Sequence, residues 1–314
     1  MDVIFMGSPE FAVPSLTKLI EKDNINVSLV VTQPDRKKGR GRKVKKNPVK
    51  ITAEKNDIEV FQPENINDYN NIEYIKSINV DFIVVVAYGQ ILNKKILEHP
   101  KNSCINLHAS ILPKYRGAAP INWVIINGER ETGLTTMLMG EGLDTGDILK
   151  VKKIEVDDKM NAGKLHDVLK DLGGDLLIET MVGMESNKII PKKQNNREAS
   201  YAPMLNKKTG YINWNKTAQE IHNLIRGLYP WPGAYTFYED KKLKIIKSTY
   251  KNKNKNKDKD KDKGEIIDVS GDNIKVQTGS GVLMIKEIQM PGKRKMNVRD
   301  YLLGNKIEKN IILK

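Results

Sequence analysis

The sequence predicts an α/β protein, with an open, largely parallel sheet domain followed by a small C-terminal β-barrel domain. Three observations carry this. Over 1–189, short β-branched runs alternate with amphipathic helical stretches. A mostly polar stretch at 190–206 then interrupts the apolar pattern and reads as a linker. Over 207–314, short strand-like runs recur at close, glycine-marked spacing, the pattern of a small barrel.

The elements follow in order. Residues 2–6 read as a first strand, and Gly7-Ser8-Pro9 as a turn. Residues 11–22 read as a helix carrying Val13, Leu16, Leu19 and Ile20 on one side. Strands are expected at 27–32, 80–87, 103–107 and 134–139. The run at 80–87 is β-branched enough to be buried on both faces. Helices are expected near 46–56, 66–77 and 118–127. Asn161 is placed to cap a helix over 164–184, although the pair Gly173-Gly174 argues against its continuity. In the second domain a helix is expected over 217–226, with Ile221, Leu224 and Ile225 as its stripe. Strands follow at 242–250, 264–269, 273–278 and 282–288, and a short helix at 297–303. Residues 251–263 alternate lysine with asparagine and then aspartate and form no core, so a solvated loop is expected there.

Composition narrows the function. Of 314 residues, 39% are hydrophobic, enough for a real core, and the net charge is +14. That charge is concentrated: residues 33–50 carry net +8 and residues 204–314 net +12. Two separated basic regions fit a polyanionic partner. A single cysteine, Cys104, excludes an internal disulfide and a cysteine-rich zinc site, and its apolar run predicts a buried thiol. The N-terminus begins directly with a strand, and no apolar run is long enough to span a bilayer. The cytoplasm is the expected compartment.

The chemistry centres on Asn106-Leu107-His108. In extended chain, residues at i and i+2 point the same way, so an amide and an imidazole share one face at a strand end. Strand ends are where open α/β sheets place their sites. Asp144, in the glycine-flanked run Gly142-Leu143-Asp144-Thr145-Gly146-Asp147, is the natural third member. Asparagine can donate to a developing oxyanion. Histidine can donate to it or accept a proton, and both roles stay open. The trio suggests acyl-type transfer without a covalent nucleophile. Other chemistries lack their signatures. There is no HExxH, so no metal is expected; no GxSxG surrounds Ser110; and Gly7-Ser8-Pro9-Glu10 is not a GxGxxG fingerprint. The run Pro34-Asp35-Arg36-Lys37-Lys38-Gly39-Arg40-Gly41-Arg42-Lys43 reads as a basic finger on the strand-end side, suited to phosphates.

These residues resemble the methionyl-tRNA formyltransferases, a branch of the formyltetrahydrofolate-dependent formyltransferases. The matching runs are Thr32-Gln33-Pro34-Asp35-Arg36, Val84 to Gly89, Ile105 to Pro113, Arg116-Gly117-Ala118-Ala119-Pro120, Gly142 to Asp147, and Pro230-Trp231-Pro232. The likeness runs from residue 1 to about 303. The Asn-x-His pair with its later aspartate is common to the wider family; the basic finger together with a C-terminal domain singles out the tRNA branch. The resemblance implies a Rossmann-like first domain and an oligonucleotide-binding-type (OB-like) barrel. It implies transfer of the formyl group of 10-formyltetrahydrofolate to the α-amino group of methionyl initiator tRNA. Asn106, His108 and Asp144 become the catalytic set. Tyr88, Gly89, Ile91, Leu92, Ser110, Ile111, Leu112, Pro113 and Met139, with Asp144, become folate contacts. Arg36, Lys37, Lys38, Arg40, Arg42 and Lys43 become tRNA contacts. No obligate protein partner is implied, and a monomer is expected. Three departures stand out: Gly140 where the family usually has aspartate, Gly7-Ser8-Pro9 for the more frequent Gly-Thr-Pro, and the repetitive stretch at 251–263.

Overall fold

The computed structural model describes residues 1–38, 43–252 and 261–314. The chain divides into two compact units. The first comprises Met1–Pro120, Glu131–Glu155 and His166–Ala202; the second comprises Ile121–Arg130, Val156–Leu165 and Pro203–Lys314. Residues through Ala202 thus group with the first unit, and two earlier segments group with the second.

In the first unit the strands are Asp2–Gly7 (β1), Asn26–Val31 (β2), Arg36–Lys38 (β3), Lys43–Lys45 (β4), Val60–Phe61 (β5), Phe82–Val86 (β6), Ser103–His108 (β7), Glu131–Leu138 (β8) and Ile148–Glu155 (β9). The helices are Val13–Ile20 (α1), Pro48–Lys55 (α2), Tyr69–Lys76 (α3) and Lys94–Leu97 (α4). Pro120–Ile126 (α5) belongs to the second unit from Ile121 onward, and Ala162–Glu185 (α6) passes from the second unit into the first after Leu165. Among the described residues one sheet runs β5-β2-β1-β6-β7-β8-β9. It is parallel from β5 to β7 and antiparallel across β7-β8-β9. The central strands β1 and β6 are buried almost throughout, and for β6 this is what the β-branched run at 80–87 predicts.

Two expectations change. β9 falls outside the expected strands because it is a lysine-rich edge, half in water, with no clean alternation. The helix over Gly173-Gly174 is continuous from Ala162 to Glu185. The glycines mark close approach rather than a break. A Cβ on Gly173 would stand 2.6 Å from Leu107 Cδ2 and 2.9 Å from Ser15 Oγ, and one on Gly174 2.7 Å from Lys18 Cδ. Each mid-helix glycine costs about 1 kcal/mol against alanine, which here permits helix and sheet to meet. The cap expected at the start of α6 is present: Asn161 Oδ1 accepts from Lys164 N at 2.9 Å.

In the second unit, Ala218–Gly227 (α7) begins with a Thr217/Glu220 capping box. The strands Ala234–Tyr238 (β10), Lys241–Lys251 (β11), Ile266–Ser270 (β12), Asn273–Gln277 (β13) and Val282–Gln289 (β14) form an antiparallel sheet ordered β10-β11-β14-β13-β12. Met296–Asn297 (β15) pairs with β14, and Val298–Leu302 (α8) follows. Residues 310–314 join the two edges. Ile266 N–H donates to Ile311 O on the β12 side, and Phe237 and Lys314 exchange backbone bonds at 2.7 and 3.1 Å on the β10 side. This bridging closes the barrel and leaves neither edge open. Its core gathers Trp214, Ile221, Ile225, Leu243, Ile274, Val276, Leu283 and Ile285. Residues 253–260 of the lysine-rich stretch lie outside the described residues. Among the described residues no helix is long and apolar enough to cross a membrane.

Candidate active site

The site grows from the end of β7. Alternation along that strand puts Leu107 against Gly173 of α6 and turns Cys104, Asn106 and His108 to the opposite face. β7 is fixed on both sides: Asn106 is in register with Val85 of β6 and Met137 of β8, and His108 with Thr135 of β8. Asn106 is half-buried, and His108 is 6% exposed.

The two imidazole nitrogens have different partners. His108 Nε2 lies 2.9 Å from the Tyr115 carbonyl oxygen. A carbonyl only accepts, so Nε2 carries the proton. His108 Nδ1 then faces Asp144 Oδ2 at 3.6 Å. In the neutral ring that nitrogen is the free base, and a proton arriving there meets a carboxylate. The same Oδ2 accepts Gly117 N–H at 2.7 Å. Asp144 adopts φ +52° and Gly117 φ +111°. A Cβ on Gly117 would also press on the Ala202 carbonyl at 3.0 Å, so glycine is required there on two grounds.

The loop carrying Asp144 is held by backbone approach. A Cβ at Gly146 would come within 1.7 Å of the Leu138 carbonyl oxygen. Backbone cannot swing aside as a side-chain end can. Gly146→Ala is therefore expected to cost about 1–3 kcal/mol of stability, seen as a lowered melting temperature, and to depress turnover by displacing Asp144. A melting temperature and turnover equal to the parent would contradict this close approach. At Gly140, by contrast, a Cβ would meet no atom of the described residues within 4 Å, so among them the position accepts a side chain without steric cost.

Tyr88, Leu92 and Cys104 share one apolar cluster, with Met139 packed against it. Tyr88 is 2% exposed, and among the described residues its hydroxyl has no hydrogen-bond partner. Burial pushes the Tyr88 hydroxyl and the Cys104 thiol well above their ordinary values, so both are neutral. Gly89 adopts φ +90° beside open space, and Ile91 is 75% exposed. Their loop is pinned: Tyr88 O accepts from Ser8 Oγ at 3.1 Å, and Ile91 O accepts from Asn67 Nδ2 at 2.9 Å.

Ser110 to Pro113 lie in the turn after β7. The Ser110 hydroxyl is buried and donates to Lys114 O at 2.6 Å. Thr135 Oγ1 donates to Ser110 O at 2.6 Å and accepts Leu112 N–H at 3.2 Å. Leu112 is buried, while Ile111 and Pro113 are half-buried. The Ser110 hydroxyl is thereby engaged within the turn.

The basic finger begins as a hairpin of β3 and β4. Arg36 is exposed, Lys37, Lys38 and Lys43 lie on its strands, and Arg40 and Arg42 fall outside the described residues. Its base is tied by Asp35, which accepts Asn47 N–H at 2.9 Å and pairs with Lys50 at 2.8 Å. The Lys50 ammonium holds the Asp35 carboxyl below the usual carboxylate range, with the Asn47 and Gln62 hydrogen bonds adding to the effect. Among the described residues no group of three His, Cys, Asp or Glu side chains is arranged to hold a metal ion.

The structure adds four groups absent from the candidate set. They are the Tyr115 carbonyl, the Gly117 amide, and the side chains of Arg116 and Gln194. The first two are backbone atoms, which no residue type announces. Arg116 stands in a motif run, but Gln194 sits in a polar stretch with no signal of its own.

Comparison with known proteins is consistent across the chain. The family described as formyl transferase matches residues 1–181, and that described as formyl transferase, C-terminal domain, matches residues 204–306. A methionyl-tRNA formyltransferase of Clostridium novyi (strain NT) is 54% identical over 315 residues, covering 100% of both chains. One from Clostridioides difficile (strain 630) is 52% identical over 313 residues, covering 100% of both. Among solved structures, the sugar 3N-formyl transferase WlaRD superposes with a TM-score of 0.66 at 22% identity, over 94% of this chain and 99% of that one. A methionyl-tRNA formyltransferase from Clostridium thermocellum superposes with a TM-score of 0.56 at 17% identity, over 80% and 94%. These two structural likenesses speak for the fold.

Proposed function

The chain belongs to the methionyl-tRNA formyltransferase family, and from that membership we propose how its residues divide the work. The enzyme transfers the formyl group of 10-formyltetrahydrofolate to the α-amino group of methionyl initiator tRNA, giving the N-formylated form that starts translation. The observation that carries our reading of the site is the convergence of His108 and Asp144, 36 positions apart in the chain, at the end of β7 beside Asn106.

A folate needs an apolar slot for a flat heterocycle beside a few polar groups. The apolar cluster of Tyr88, Leu92 and Met139, the buried unpartnered Tyr88 hydroxyl, and the exposed side chains of Ile91 and Leu143 support that fit. Tyr88, Gly89, Ile91, Leu92 and Met139 would hold the heterocycle, with the turn Ser110 to Pro113 alongside. When bound, the folate supplies a formyl group activated by its attachment to nitrogen. Asn106 donates its amide N–H to the formyl oxygen as that oxygen gains charge. His108 Nδ1 would take the proton shed by the attacking amine, with Asp144 facing the resulting charge, and return it to the folate nitrogen as that nitrogen's bond to the formyl carbon breaks. The Tyr115 carbonyl and Gly117 N–H keep the pair from rotating out of line.

Arg36, Lys37, Lys38, Arg40, Arg42 and Lys43 bind phosphates of the tRNA acceptor region, supported by the charge of the finger and its hairpin base. The enzyme acts as a monomer in the cytoplasm, without an obligate protein partner. The test is formyl transfer from 10-formyltetrahydrofolate to methionyl initiator tRNA, with free methionine and uncharged tRNA as controls. Labelled formyl is expected only on the charged tRNA. Transfer to a sugar amine in its place would refute the assignment of substrate.

A further inference from the structure

Residues 192–202 form a brace behind the catalytic loop. Lys192 exchanges two backbone bonds with Ile148, at 2.8 and 2.9 Å. Ser200 Oγ accepts Tyr115 N–H and Ser200 O accepts Arg116 N–H, both at 2.9 Å, while Ala202 N–H donates to Arg116 O at 2.7 Å. Arg116 is thus fixed along its backbone between the two residues that hold the catalytic pair: Tyr115, whose carbonyl meets His108, and Gly117, whose N–H meets Asp144.

The Arg116 side chain completes a circuit. It is 2% exposed and donates from Nε and Nη2 to Gln194 Oε1, at 3.0 and 2.6 Å, and from Nη2 to Asn196 Oδ1 at 2.9 Å. Gln194 Nε2 donates in turn to the backbone carbonyls of Asp144, at 2.9 Å, and Gly146, at 2.7 Å. Asp144 is therefore gripped at both ends, its carboxylate by Gly117 and its peptide by Gln194. The grip matters because a non-glycine residue at positive φ sits about 1–2 kcal/mol above its ordinary conformation and stays there only when its surroundings hold it. Only a carboxamide fits this place: one end must accept from a guanidinium and the other must donate to two carbonyls. The buried positive charge polarises Gln194 and strengthens both donations.

We propose that Gln194, oriented by the buried Arg116, is a positioning residue for Asp144 that keeps the carboxylate opposite His108 Nδ1. The inference rests on the catalytic reading of Asp144 given above. The informative variant is Gln194→Glu. It keeps the contact with Arg116, now as an ion pair, but replaces two donations with repulsion toward the carbonyls of Asp144 and Gly146. A displacement of an ångström in catalytic geometry is worth about 10²-fold, so kcat is expected to fall about 10- to 100-fold, with KM for tRNA and for the formyl donor within about twofold of the parent. Amide exchange supplies a readout independent of activity. In selectively 15N-glycine-labelled protein, the Gly117 N–H is expected to exchange at least about tenfold faster in the variant, while the remaining core glycines keep their protection.

Parent-like kcat in Gln194→Glu overturns the proposal. So does a lost rate with unchanged Gly117 exchange. If Gln194→Glu does not fold, Gln194→Met, of similar length and without hydrogen-bonding ends, is read by the same two measurements. If the parent enzyme transfers no formyl group, the reading of Asp144 falls, and the Gly117 exchange still decides whether Gln194 holds its loop.

Discussion

Replacing His108 with alanine is expected to lower kcat for formyl transfer about 10²- to 10⁴-fold, the usual range for a positioned general acid or base. The reasoning is geometric. Tyr115 O fixes the proton on Nε2, and that leaves Nδ1 as the basic atom, 3.6 Å from Asp144 Oδ2. Alanine removes the acceptor and leaves Asp144 facing a void. Because the register of His108 with Thr135 of β8 is carried by backbone and not by the imidazole, the loss of the ring leaves the sheet intact. Single-turnover rates at saturating methionyl-tRNA, with a thermal melt as a folding control, measure the effect. KM for tRNA should stay within a fewfold, since the basic finger proposed to bind it is untouched. A variant with near-parental kcat would remove His108 from the chemistry altogether.

Asp144→Asn is expected to be nearly as damaging, about 10²- to 10⁴-fold in kcat, by analogy with the loss seen when an aspartate that orients a catalytic histidine becomes asparagine. The substitution keeps shape and removes the charge. The carboxamide oxygen can still accept Gly117 N–H, preserving the 2.7 Å contact of the loop. That oxygen is also the atom that faces His108 Nδ1, and in the amide it no longer carries the negative charge that would meet the incoming proton. Folding should therefore survive while turnover does not. The measurement is kcat beside the Gly117 amide exchange rate: unchanged exchange with lost turnover assigns the effect to charge. Full activity in Asp144→Asn would show that the carboxylate's charge plays no part.

The pairing of Asn106 and His108 on one face of β7 was legible because period-two alternation is a local rule. Asn106 and His108 share a face whatever the rest of the chain does, and Leu107 between them points to α6. The buried strand β6 was legible from its β-branched composition. The edge strand β9 was not, because half-solvated edges carry mixed residues. Strands β3 and β4 were hidden within the basic run, where charge obscures backbone preference. The pair Gly173-Gly174 misled because a glycine that breaks a helix and one that admits a neighbour look alike in sequence.

The sequence by itself determined the architecture, the face shared by Asn106 and His108, the likeness that names the family, and the concentration of charge. Each of these depends on residue type at short spacing or on composition. Tertiary structure alone decided how Asp144 reaches His108, that the proton on His108 sits at Nε2, and that Gln194, held by Arg116, bonds the loop of Asp144. It also decided that residues 310–314 close the barrel. The physical reason is common to all four: the decisive partners are chiefly backbone carbonyls and amides, which every residue carries, and only the folded path of the chain brings a particular one within hydrogen-bond reach.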